Sequence, residues 1–291
     1  MTQQPSLLLS DTDGVRTLTL NRPHRKNAID QGLWEALHEA LVAAGNDRSV
    51  RALVLTGAGG AFCSGADISG GLSSAHPLYR MRTLSEVALL LHELPIPTIA
   101  GVTGPAVGAG WNLALGCDFV VATPESTFSQ IFARRGLSLD LGGSWLLPKL
   151  VGLQQAKRLA LLAETIGAEE ARSLNLVTWV VPATEIEGFV ADLGARLAAG
   201  APVALAQNKA LLNEGADRTL RDALAGEARA QAVNFATGDV ATAYSAFAEK
   251  REPHFTGHWA VPGRAVPGRA VPGRAVPGRD DESGSEPCVR S

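Results

Sequence analysis

The chain has 291 residues, 46% hydrophobic and 19% charged, with a formal net charge of -3. That balance supplies core material for one large domain or two small ones and gives no reason to expect a nucleic acid or an acidic membrane surface as partner. The cysteines Cys63, Cys117 and Cys288 form neither a disulfide framework nor a zinc-binding spacing, which suits a reducing cytoplasm.

The opening MTQQPSLLLSDTDGV has no basic region and no long apolar stretch, so it does not read as a signal peptide. VRTLTL at 15–20 alternates as a strand does. Asp30 is placed to cap a helix whose apolar face holds Leu33, Trp34, Leu37 and Leu41. RALVL at 51–55 is an apolar strand running into the glycine turn TGAGGAF. Residues 78–91 repeat the helical pattern with Leu78, Met81, Leu84, Val87, Ala88 and Leu91. PTIAGVTG is a further strand and turn, PAVGAGWNLALG a helix start, and DFVVAT the next strand. The apolar run GPAVGAGWNLALGC is too short and glycine-rich to span a membrane. Strands alternating with helices predict an α/β domain with a largely parallel or mixed sheet.

Beyond Pro148 the spacing predicts helices near 153–163, 168–174, 185–199, 202–212, 219–235 and 239–250, layered over the sheet or packed on neighbours. From Ala260 the unit AVPGR repeats four times before DDESGSEPCVRS. Its Pro-Gly pairs exclude a helix or a central strand, and residues 259–291 read as a disordered tail.

Glycines cluster beside predicted strand-to-helix turns in AFCSGADI (61–68), GPAVGAGWNLALGCD (104–118) and RRGLSLDLGGSWLLP (134–148). Taken singly, each is explained by the need of such turns for a positive φ or close packing. No phosphate-binding loop, dinucleotide fingerprint or serine-hydrolase elbow is present, and the six histidines are scattered outside these stretches. What remains is backbone chemistry: two turns leading into helices can each aim a free N–H at one point, the arrangement of an oxyanion hole.

In these stretches the chain resembles the crotonase, or enoyl-CoA hydratase/isomerase, family. The likeness runs over residues 5–257 and is carried in order by NRPHRKNAID, LVLTGAGGAFCSGADI, PTIAGVTGPAVGAGWNLALGCDFVVA, RRGLSLDLGGSWLLPKLVG, AEEARSLNLVTWVV and FAEKREPHFTG. It implies a ClpP/crotonase-like α/β fold. Repeated ββα units would fill residues 1–195, and a helical trimerisation region 196–258. It implies acyl-CoA thioester substrates and a homotrimer or a dimer of trimers. It implies no metal or redox cofactor.

By motif match, the N–H groups of Ala66 and Ala109 would form the oxyanion hole. Lys26 to Ala28, and Ser64 with Asp67 and Ile68, match stretches that hold coenzyme A. Phe247 and Lys250 match a C-terminal helix that can contact it. Val107, Gly108, Trp111, Phe132, Leu139 and Trp145 are expected around the substrate.

The departures from the family carry as much information. Hydratases of the family use two glutamates on water, and here those positions hold Asn112 and Phe132. Neither can act as a base. Asp140 aligns instead with an aspartate of some family isomerases, and LSLDLGGSWLLP resembles isomerases acting on 1,2-epoxyphenylacetyl-CoA. Asp140 would then be a general acid/base in an apolar pocket, with Leu137, Leu139, Leu141 and Trp145 as neighbours and a pKa raised by burial. The bland alternative is an N-cap with Leu141 opening the helix. Asp118 reads as structural and Asp67 as orienting its loop. Asn112 either bonds a water or the thioester or fills the lost glutamate's space. An isomerase is expected, with a hydratase or a non-catalytic acyl-CoA-binding protein as alternatives.

Overall fold

The computed structural model describes residues 4–69, 76–215 and 217–260; most of the AVPGR tail therefore lies outside the described residues. The chain opens with a hairpin of β1 (Leu7–Thr12) and β2 (Val15–Leu20). Asp13 and Gly14 form its two-residue turn, both at positive φ. β1 was not expected, because LLLSDT barely alternates and only Leu7 is buried.

α1 (Gln31–Asn46) starts where Asp30 accepts a hydrogen bond from Leu33 N at 2.9 Å, and it buries Leu33, Trp34, Leu37 and Leu41 as expected. β3 (Ala52–Gly57) follows, then α2 (Pro77–Glu93). In α2 only half of the predicted stripe is buried: Leu84, Val87 and Leu91 are inside, while Leu78 and Met81 are exposed.

β4 (Thr98–Val102), β5 (Pro105–Val107), α3 (Ala109–Leu115), β6 (Phe119–Ala122) and β7 (Thr127–Ser129) come next. The expected helix start in PAVGAGWNLALG thus divides into a short strand and a short helix. α4 runs Gly143–Leu162 and is broken at Gly152, where φ is 73°. Its first half was expected only under the capping alternative for Asp140, because paired glycines and Pro148 obscure the periodicity. β8 (Thr165–Gly167), α5 (Ala168–Ser173) and β9 (Trp179–Val180) complete the strands. α6 (Ile186–Ala199), α7 (Pro202–Gly215), α8 (Leu220–Phe235) and α9 (Asp239–Glu249) agree with the expected helices to within three residues.

Six strands form one sheet in the order β1-β2-β3-β4-β6-β9, parallel except for β1 with β2, and β5-β7-β8 form a second. The main core lies between the large sheet and α1 to α5. A smaller core packs α6 on the other face through Val190 and Leu193 against Val15, Val54, Ile99 and Val121. Asp118 is structural as expected: it accepts from Thr98 N at 2.7 Å and pairs with Lys209 of α7 at 2.9 Å, tying the C-terminal helices to the sheet.

Candidate active site

The first glycine stretch leaves β3 and runs between two neighbours. On one side Ile29 N donates to Gly65 O at 2.8 Å and Asp67 N to Ile29 O at 2.9 Å. In this parallel pairing the N–H of the residue between, Ala66, points the other way. On the other side Cys63 N donates to Pro105 O at 3.0 Å, and Val107 N donates to Cys63 O at 2.9 Å. The loop is thereby stitched to β5, whose chain continues through Gly108 into α3.

Gly65 makes the close approach. Its φ is 96°, and an added Cβ would sit 2.9 Å from Val107 O and 3.8 Å from Ala109 N. Only glycine meets both conditions. Gly108, at φ 55°, turns the chain so that Ala109 begins α3 with an N–H that no helical carbonyl can accept. Among the described residues neither Ala66 N nor Ala109 N donates to a protein group. Two unpaired N–H donors therefore lie side by side on one wall.

That wall belongs to a cavity of about 390 Å³. It gathers Ala28, Ser64, Ala66, Asp67, Ile68, Val107, Gly108, Ala109, Phe132 and Asp140 of the expected residues, with Leu137 from beside Asp140. It also holds Arg25, Gly65, Ser69, Ile131 and Arg135, which the sequence did not single out. Clefts of about 550 Å³ around Asn21 to Asp30 and about 460 Å³ between α4 and α7 are larger. Neither contains the N–H pair.

Two carboxylates face the cavity, in opposite states. Asp67 accepts from Ser69 Oγ at 2.7 Å, Ser69 N at 3.0 Å and Arg22 Nη2 at 2.9 Å. These bonds hold its carboxyl down at about 2, led by the Ser69 hydroxyl. Arg22 also pairs with Asp30 at 3.1 Å and donates to Ala28 O, so Asp67 anchors the loop as expected. Asp140 is half-buried, and its Oδ1, which is itself out of reach of solvent, finds no partner among the described residues. Burial pushes its carboxyl up to about 6, against a smaller opposing pull from the Asn112 amide.

The capping alternative for Asp140 fails. α4 begins at Gly143 rather than Leu141, its cap is Gly142, and no side chain caps it. The backbone carbonyl of Asp140, not its carboxylate, accepts from Gly143 N at 2.9 Å. Leu141, at φ 45°, is buried toward a different cavity.

Several expected residues lie elsewhere. Trp111 has no exposed surface and packs on Phe128 in the core, because its position on α3 faces the sheets. Trp145 lines a separate apolar cavity of about 300 Å³, edge-on to His92 at 5.1 Å and with Lys149 Nζ 4.5 Å from its ring centroid. Leu139 packs against the core rather than the pocket. Lys26 does not line the cavity; its carbonyl accepts from Ser64 N at 3.0 Å while its side chain points to solvent. Phe247 and Lys250 sit exposed at the end of α9, outside the cavity of this chain.

Asn112 is also outside this cavity, and both ends of its amide are taken up by protein groups. Its Nδ2 donates to Asp140 O at 2.9 Å, and its Oδ1 accepts from Gln130 Nε2 at 2.8 Å. Gln130 carried no sequence signal, being a lone amide in a short strand exit. Among the described residues no cluster of three or more His, Cys, Asp or Glu could hold a metal ion.

The arrangement can hold an oxygen that gains negative charge while a buried carboxylate moves a proton nearby. Residues 10–258 match the enoyl-CoA hydratase/isomerase family. A Rhodobacter capsulatus protein described as "Probable enoyl-CoA hydratase" is 40% identical over 248 residues, 84% of this chain and 96% of that one. The 1,2-epoxyphenylacetyl-CoA isomerase of Escherichia coli K12 is 36% identical over 250 residues, 84% of this chain and 95% of its own. The crystal structure of an enoyl-CoA hydratase from Bacillus anthracis superposes with a TM-score of 0.84 at 29% identity, covering 87% of this chain and all of that one.

Proposed function

The chain belongs to the enoyl-CoA hydratase/isomerase family and acts on acyl-CoA thioesters, and from that premise we propose that it is an isomerase that moves a double bond with Asp140 as its single acid/base. The observation that carries this reading is the pairing of functions in one cavity. Ala66 N and Ala109 N face it unpaired, and Asp140 is the one carboxylate there not already committed to a cation or a hydroxyl.

In a 3-enoyl-CoA bound with its thioester oxygen on the two N–H groups, Asp140 takes a proton from C2. The C–H electron pair moves through the carbonyl onto the thioester oxygen, forming a dienolate that the two donors stabilise. The carboxylic acid then returns the proton to C4, and the electrons come back to leave a 2,3 double bond. No atom is gained or lost. A carboxyl titrating near 6 is ionised at neutral pH yet basic enough to share the proton, and positioned transfer of this kind contributes about 10²–10⁴ in rate. Ala28, Ser64, Ile68, Val107, Gly108 and Phe132 would enclose the thioester arm, and Phe132 closes the side where a water-activating glutamate would otherwise stand.

The names of the relatives favour a second reading, hydration of a 2-enoyl-CoA with Asp140 alone directing water. Assembly into trimers joins the proposal: Leu212, Leu220, Leu224, Phe235 and Tyr244 leave apolar surface exposed on α7 to α9. The test of the chemistry is incubation of the protein with a 3-enoyl-CoA in D₂O, followed by NMR and mass spectrometry. A deuterated 2-enoyl product is expected. A 3-hydroxyacyl product would select hydration, and binding without turnover or exchange would sink both.

A further inference from the structure

Behind the wall of the cavity, three groups form a chain of hydrogen bonds with a definite direction. The Asp140 carbonyl accepts from Asn112 Nδ2, and Asn112 Oδ1 accepts from Gln130 Nε2. A backbone carbonyl can only accept, so Asn112 must turn its amino group toward Asp140. Its oxygen then needs a donor, and Gln130 supplies one. The cost falls on Gln130: its Oε1 is buried and has no donor among the described residues. Asn112 and Gln130 are 1% and 0% exposed, so neither is held there by solvent.

The carbonyl that this chain grips also accepts from Gly143 N at 2.9 Å, at a turn of unusual backbone. Asp140 leads into Leu141 at φ 45° and Gly142 at φ 75°, two successive left-handed residues. Gly143 packs directly on the Asn112 carboxamide, where a Cβ would collide with it. A rotated Asn112 would set oxygen against the Asp140 carbonyl and push this segment away.

We propose that Gln130 is a positioning residue for the acid/base: by holding Asn112 in one orientation it fixes the Asp140 peptide and aims the carboxylate into the cavity. Gln130 does not line that cavity, so its effect is transmitted, not direct. The inference rests on the reading of Asp140 as the proton carrier. The competing view is that Gln130 and Asn112 merely fill space.

Gln130→Met separates the two. It keeps the volume and exchanges one stranded oxygen, Gln130 Oε1, for another, Asn112 Oδ1, so the melting temperature should stay close to that of the parent. Displacement of a reacting group by about 1 Å can cost up to ~10² in rate, so kcat is expected to fall about ten- to a hundredfold with KM unchanged. Gln130→Glu is the second variant. Its protonated form can donate to Asn112 and its ionised form cannot. Its kcat should match the parent at low pH and fall as pH rises through the pKa of this buried glutamate, a limb absent from the parent profile.

A readout without substrate keeps the failures apart: ¹³C NMR titration of the aspartate carboxyls, with the Asp140 signal assigned by its loss in Asp140→Asn. The Asp140 titration should move in Gln130→Met. A folded Gln130→Met protein with parental kcat and an unmoved Asp140 titration would overturn the positioning role, whichever group carries the proton. Full turnover in Asp140→Asn would remove the proton-carrier reading alone.

Discussion

Replacing Asp140 by asparagine should slow the enzyme and stabilise the protein, and the two effects have separate origins. The folded carboxyl titrates near 6, above its ordinary value of 3.8, because burial disfavours the charge. In the unfolded chain it ionises near pH 4. Between pH 4 and 6 the unfolded state loses its proton first, so stability falls as pH rises through that window. About two pKa units at 1.36 kcal/mol each put the loss at about 3 kcal/mol by neutral pH. Asparagine has no charge to bury, although its amino group brings donors that the cavity does not fully satisfy, which offsets about 1 kcal/mol.

The net expectation is about 2 kcal/mol of stabilisation at pH 7.5, or about 4 °C in melting temperature for a domain of this size. Below pH 4 the variant should hold no advantage. Turnover should fall by about 10²–10⁴ as the proton carrier is lost, with coenzyme A ester binding retained. Calorimetry at pH 4 and 7.5 beside isomerisation kinetics makes the measurement. Equal melting temperatures at both pH values together with parental turnover would refute both the buried charge and its use.

The backbone donors are open to the same kind of test. Ala109 is the first residue of α3, where proline is tolerated, so Ala109→Pro removes one N–H while leaving the helix intact by circular dichroism. It should cost about 3 kcal/mol in the barrier, roughly 10²-fold in kcat, and retention of parental kcat would exclude that donor. At Gly110 an added Cβ would sit 2.5 Å from Cys63 O and 2.6 Å from Cys63 Sγ. Gly110→Ala must therefore push α3 away from the loop carrying Ala66. A loss of about 1–3 kcal/mol of stability and a drop in kcat larger than in binding are expected from chemical unfolding and kinetics.

Order along the chain and local chemistry were enough to specify much of this protein. Period and turn residues marked most strands and helices, Asp30 announced the start of α1, and the glycine stretches pointed to backbone donors, with Ala66 and Ala109 singled out by their resemblance to the family's motifs. The same resemblance placed Asn112 and Phe132 where hydratases of the family carry glutamates. The strands, turns and the cap are read within a few residues of sequence, where backbone sterics and hydrogen-bonding capacity act.

Direction and distance were decided by the fold. The side of α3 that faces the sheets put Trp111 into the core, and the entry into α4 turned Trp145 and Leu141 toward another cavity while leaving Asp140 in this one. Whether Asp140 capped a helix depended on two left-handed residues after it, which its neighbours in sequence do not dictate. Gln130 meets Asn112 across 18 positions and Asn112 meets Asp140 across 28, so the link between them exists only once β7, α3 and the approach to α4 have packed together. Burial raises the pKa of the Asp140 carboxyl, and burial is a property of the assembled layers rather than of any stretch of the chain.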